Sequence, residues 1–108
     1  VYIIEFDVED MENILLRIRD NDKVIIIESS HYLKRVQREY CSSKLTHMSL
    51  KNNIPLYINL PKKNKFRITY SHPESTKYNL VIVMFLENHN EIKLITTFPE
   101  SKSKLKED

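Results

Sequence analysis

Apolar and polar positions along this chain repeat with two different periods, and the period changes once. In the first half, Val8, Met11, Ile14, Leu15 and Ile18 recur at three- and four-residue spacing, which predicts a helix with one apolar face running to about Arg19. Asp7 stands where an N-cap is needed, with Asp10 three residues on. Arg17 and Arg19 suit the negative end of the helix dipole, and Asp20-Asn21-Asp22 stops the helix. Before it, the β-branched and aromatic run Val1 to Phe6 predicts a short strand. After it, Val24 to Glu28 is apolar at four successive positions, which predicts a strand buried on both faces. Ser29 and Ser30 then supply a helix cap. In the helix that follows, Tyr32, Leu33, Val36 and Tyr40 share one face, and His31, Lys34, Arg35 and Arg38 share the opposite one.

Cys41 to Asn53 is ambiguous; Leu45, Met48 and Leu50 fit a short helix, with His47 on the surface. From Ile54 the period becomes two. Leu56, Ile58 and Leu60 alternate after Pro55, Pro61 to Asn64 is a turn, and Phe66, Ile68 and Tyr70 alternate next. Arg67 falls on the face opposite Tyr70. Ser71 to Thr76 is a loop broken by Pro73. Tyr78 to Leu86 is apolar on both faces and predicts a central strand, with Val81, Val83 and Phe85 on one side and Leu80, Ile82, Met84 and Leu86 on the other. Asn88-His89-Asn90 turns it into a last strand, Ile92 to Phe98, which Pro99 ends. The order β-α-β-α followed by an antiparallel meander makes an α+β fold. Helices pack on one face of a four- to five-stranded, mainly antiparallel sheet. At 108 residues this is one domain over 1–100, with a polar, frayed tail over 101–108.

Composition narrows the chemistry. There is no glycine, which removes the Gly-rich loops that cradle phosphates in P-loop and dinucleotide-binding enzymes. The four histidines and one cysteine lack structural zinc spacing, so neither metal nor cofactor is expected. The lone Cys41 cannot form an internal disulfide and points to a reducing, cytoplasmic location. No signal-peptide pattern or bilayer-length apolar run is present, so no membrane partner is expected.

Charge adds more. The net charge of +2 hides segments of opposite sign: residues 1–30 sum to −5 and residues 31–72 to +8. The central block suits an anionic partner, nucleic acid above all, unless the fold folds the acidic segment against it. The His31, Lys34, Arg35, Arg38 face is either a solvated helix surface or a phosphate site with a titratable imidazole. Lys62, Lys63, Lys65 and Arg67 are further candidates for RNA contact.

The run Ser29-x-His31-x-x-x-Arg35, followed by Arg38 or Glu39, and the strand Leu94-Ile95-Thr96-Thr97-Phe98-Pro99 resemble the RelE-like toxins within the barnase–EndoU–colicin–RelE superfamily of small ribonucleases. The likeness spans roughly residues 24–100. The N-terminal strand and helix are additions to that pattern, Arg38 comes one position early, and Cys41-Ser42-Ser43 replaces the usual Gly-Ile-Ser. The resemblance implies a metal-independent endoribonuclease that cuts RNA through 2′-OH attack. Its catalytic residues are His31, Arg35, Arg38 and Thr96, its phosphate contacts include Lys34, and its partners are RNA and a cognate antitoxin protein. His31 moves protons, and Arg35 and Arg38 hold phosphate oxygens. Thr96 either contacts phosphate or is a strand threonine satisfied by its neighbours. The alternatives are a non-catalytic RNA- or protein-binding module using the same basic face, and an inactive relative whose basic block docks a partner.

Overall fold

The computed structural model describes residues 4–38 and 42–105. Asp7 caps α1 (Val8–Arg19) through a reciprocal box: the Asp10 N–H donates to Asp7 Oδ1, and the Asp7 N–H donates to Asp10 Oδ2, both at 2.9 Å. Met11, Ile14, Leu15 and Ile18 are its buried stripe. Asn21 ends the helix at φ 59°, a conformation asparagine tolerates in place of the missing glycine. Arg17 ties the end down, donating to Asp22 Oδ2, to the Lys23 carbonyl and, at 2.6 Å, to the His89 carbonyl across the molecule. Its guanidinium holds the Asp22 carboxyl below the usual carboxylate range. The Asp22 contribution is therefore present above its unfolded pKa and lost as pH falls through the folded one.

The remaining elements are β1 (Ile25–Glu28), α2 (Ser30–Val36), α3 (Ser43–Asn52), β2 (Tyr57–Lys62), β3 (Lys65–Ser71), β4 (Tyr78–Asn88) and β5 (Glu91–Ser101), followed by a 3₁₀ turn, Lys102–Leu105. They form α+β architecture around one five-stranded sheet of order β1-β5-β4-β3-β2. Strands β2 to β5 are an antiparallel meander, and β1 joins parallel to β5. As the alternating pattern predicts, β4 is central, and it pairs with β5 through a two-residue turn at His89–Asn90. Phe66, Ile68, Tyr70, Leu80, Ile82, Met84, Leu86, Ile92 and Leu94 line the core face, with Met11, Leu15, Tyr32 and Leu50 from the helices above it. No helix among the described residues is long and apolar enough to cross a membrane.

Several elements differ from the sequence pattern for identifiable reasons. Ile4 to Phe6 form no strand, and residues 1–3 lie outside the described residues. The Asn64 side chain takes a strand's place: its Oδ1 accepts from the Phe6 N–H at 2.7 Å, and its Nδ2 donates to the Ile4 carbonyl at 2.8 Å. Strand β1 is an edge, not a doubly buried strand, and Ile25 and Ile27 are exposed on it. Leu33 is exposed too, because the seven-residue α2 buries only Tyr32. Pro61 sits inside β2, at a bulge on an edge strand where its missing N–H removes no ladder bond. Strand β5 passes through Pro99 because β1 covers only Glu91–Leu94, leaving that later stretch as an edge. Among the described residues positive φ occurs at Asn21 and at Asn64, in the β2–β3 turn, and not in the Asn88–Asn90 turn.

Asn64 therefore carries two separable duties. Asn64→Gly keeps the backbone conformation and loses both amide bonds, at an expected cost of about 1–3 kcal/mol. Asn64→Ala adds the left-handed backbone penalty of roughly 1 kcal/mol or more and should melt lower than the glycine variant. Thermal unfolding of the two variants side by side checks the order.

Candidate nucleic-acid interface

Helices cover one face of the sheet, and the register shows what stands on the other. Four cross-strand rows run over it. Lys62, Lys65, Phe85 and Lys93 form the first, and Asn59, Arg67, Val83 and Thr96 the second. Tyr57, Thr69, Val81 and Phe98 form the third, and Ser71, Asn79 and Glu100 the fourth. Thr69, Asn79, Val81 and Val83 at the centre of the face are buried, so this helix-free face is open only around them. On the edge strand, Ile25 and Ile27 extend this face beside Glu91 and Lys93. A bulge in β5 assembles it. Val83 pairs with Thr96 but Met84 pairs with Leu94, so Ile95 is the extra residue. It shifts the alternation by one position. Lys93, Thr96 and Phe98 therefore share the open face, while Leu94 and Thr97 turn to the core.

Two neighbouring threonines are thereby given opposite fates. Thr97 is the buried, satisfied strand threonine: its hydroxyl donates to the Val81 carbonyl and accepts from Thr46, each at 3.1 Å. Thr96 is half-buried on the open face, and among the described residues its hydroxyl has no hydrogen bond.

Helix α2 borders this face along the free part of β5. Ser29 caps it, accepting from the Tyr32 N–H at 3.1 Å, and anchors its start by donating from its own N–H to the Leu94 carbonyl. Arg35 anchors the other end. Its Nε donates to the Thr97 carbonyl at 3.3 Å, and its guanidinium carbon lies 5.8 Å from the Phe98 ring centroid. The Arg67 guanidinium lies at the same distance from that ring and pairs with Glu100. Two arginines, one from a helix and one from a strand, thus converge on a single phenyl ring. His31 stands one helical turn before Arg35 on the same stripe, exposed and without a hydrogen bond or ion pair among the described residues.

The sequence-derived candidates divide accordingly. Arg35, Thr96, Lys62, Lys65 and Arg67 come together on or beside the open face, with His31 at its margin. Lys34 is exposed on α2, but the helix ends at Val36, so Arg38 lies beyond it and outside the expected helical stripe; neither has contacts that place it on the face. Lys63 turns away to Glu5, at 3.0 Å. Glu39, Tyr40 and Cys41 lie outside the described residues. Lys93, Phe98 and Tyr57 join the face without having been candidates; alternation alone does not locate the bulge that puts the first two there.

His47, expected on the surface, is half-buried behind the face. Its Nε2 lies 2.9 Å from Glu28 Oε2, which also accepts from the Ser43 hydroxyl at 3.2 Å, and Ser43 meets the Tyr32 hydroxyl at 3.0 Å. This chain links the end of β1 to α2 and α3, and so holds α2 against β5.

Glu100 occupies Arg67 in the free protein. Glu100→Gln should release that guanidinium to phosphate and raise RNA affinity by up to about fivefold, the ratio matching a half-exposed ion pair of up to ~1 kcal/mol. Fluorescence anisotropy with a labelled oligonucleotide reads the change.

No protein-family model, no curated protein and no solved structure matches this chain.

Proposed function

We propose that this protein is a metal-independent endoribonuclease of the RelE-like type that holds single-stranded RNA on the accessible margin of the helix-free sheet face, around the buried Thr69, Asn79, Val81 and Val83. The observation that carries the reading is the meeting of Arg35 and Arg67 at Phe98, beside a Thr96 hydroxyl with no partner among the described residues and one turn from an exposed His31. Lysines 62, 65 and 93 supply phosphate contacts, and exposed Tyr57 offers a stacking surface for an unpaired base. Arg35 holds the scissile phosphate and the charge that builds on it, and Arg67 joins it when RNA draws it from Glu100. His31 accepts the proton of the 2′-OH as that oxygen attacks phosphorus, and the departing 5′-oxygen takes its proton from water to give the 5′-hydroxyl end.

The alternative is a binding module that uses the same cations without proton transfer. A single-stranded RNA and a DNA of the same sequence, each incubated with the protein in EDTA, distinguish the two. The nuclease binds both and cuts only the RNA; a module binds and cuts neither.

A further inference from the structure

A second site lies away from the open face, between α1 and the segment leading into β2. Here Val8, Leu16, Ile54, Leu56 and Ile58 wall a cleft of about 410 Å³, within the size range of small-molecule sites. Its mouth is unusually apolar: Ile54 is 76% exposed, Leu56 49% and Leu16 48%.

Arg19 lines the cleft from the last turn of α1. Its Nη1 is buried without a partner, and no hydrogen bond or ion pair among the described residues reaches its guanidinium. A buried cation donor without an acceptor is costly, and natural structures rarely leave one so. The Tyr70 hydroxyl is likewise buried without a partner. Burial raises the Tyr70 phenol above its ordinary range, and the Arg19 charge offsets part of that rise.

Glu12 also lines the cleft, seven residues before Arg19 and thus about 10 Å away along the helix. It does not pair with Arg19, and its carboxylate disfavours a second negative charge at the far end.

We propose that this cleft binds a small amphipathic monocarboxylate, with the carboxylate on Arg19 and the apolar body against Leu16, Ile54 and Leu56. Arginine's planar fork matches a carboxylate, and Val8, Leu16, Ile54, Leu56 and Ile58 offer a hydrocarbon chain apolar contact, while Glu12 and Asn13 add polar groups to the same lining. The site does not depend on the ribonuclease reading.

Octanoate, octanol and octylamine serve as probes, followed by titration calorimetry and by amide chemical shifts. Octanoate is expected to bind saturably, shifting Leu16, Arg19 and residues 54–58, with the alcohol and amine at least about tenfold weaker. Arg19→Gln should cost octanoate at least about tenfold, with Arg19→Lys, which keeps the charge but not the fork, falling between wild type and that variant. Leu16→Trp, which fills the mouth from an exposed position, should block octanoate with Arg19 intact. Absence of saturable octanoate binding, equal binding of octanol, or octanoate binding unchanged in Arg19→Gln or in Leu16→Trp overturns the proposal.

Discussion

His31→Gln is expected to lower RNA cleavage about 10²–10⁴-fold while leaving RNA affinity within about twofold. The asymmetry follows from position. His31 is exposed at the first turn of α2, and no fold contact among the described residues depends on it. Glutamine keeps hydrogen-bonding capacity and removes only the titratable nitrogen. Arg35→Ala should behave differently, reducing binding and cleavage together. Arg35 is half-buried, bonds the Thr97 carbonyl and lies against Phe98, so its loss removes a phosphate contact and loosens α2 from β5. Arg35→Lys separates those effects: the charge remains, but the planar contact with Phe98 and the forked grip on phosphate do not. Binding should then recover more fully than cleavage. Single-turnover rates and anisotropy titrations on the same oligonucleotide give both numbers. Equal losses of binding in His31→Gln and Arg35→Ala would remove His31 from the catalytic role.

The second large effect is on salt dependence. Lys62, Lys65, Lys93 and Arg35 are four cations of the open face that no carboxylate pairs with among the described residues. Four phosphate contacts to a single strand give a slope of log affinity against log salt near −3. Affinity should thus fall about 50-fold between about 50 and 200 mM salt. Replacing Lys62, Lys65 and Lys93 together should flatten that slope by about two units and weaken binding to all sequences alike. Lys63 makes an internal comparison. It neighbours Lys62 in sequence but pairs with Glu5, so Lys63→Ala should change the slope little. A slope that Lys63 controls as strongly as Lys93 would move the RNA off the sheet face.

The sheet was legible because β-structure with one covered face writes itself as alternation. Ile68 and Tyr70 face the helices and Arg67 faces away, as their spacing says. The Tyr78–Leu86 run reads as central for a different reason: it is apolar on both faces, and both are buried, Val81 and Val83 as well as Ile82 and Met84. Strand β1 defeated that logic. The four apolar residues of Val24–Ile27, three of them in β1, resemble a buried strand, but only Val24 and Ile26 pack on the core, while Ile25 and Ile27 are exposed. Composition does not say on which edge of a sheet a strand lies. The candidate site was legible only where helix spacing fixed it, as for His31 and Arg35. Its other half depends on the Ile95 bulge, which exchanges the roles of Thr96 and Thr97 and brings Phe98 between two arginines. A single inserted residue leaves no compositional mark, and long-range pairings such as Glu28 with His47 leave no periodic one.

The most direct measurement maps the ends made by wild-type protein on a single-stranded RNA in EDTA, beside the same RNA carrying one 2′-deoxy residue at the mapped cut. Internal attack predicts 2′,3′-cyclic phosphate or 3′-phosphate and 5′-hydroxyl ends, and no cut at the deoxy position. Products with 5′-phosphate ends, a cut that survives the deoxy substitution, or RNA that is bound and left whole would contradict the account.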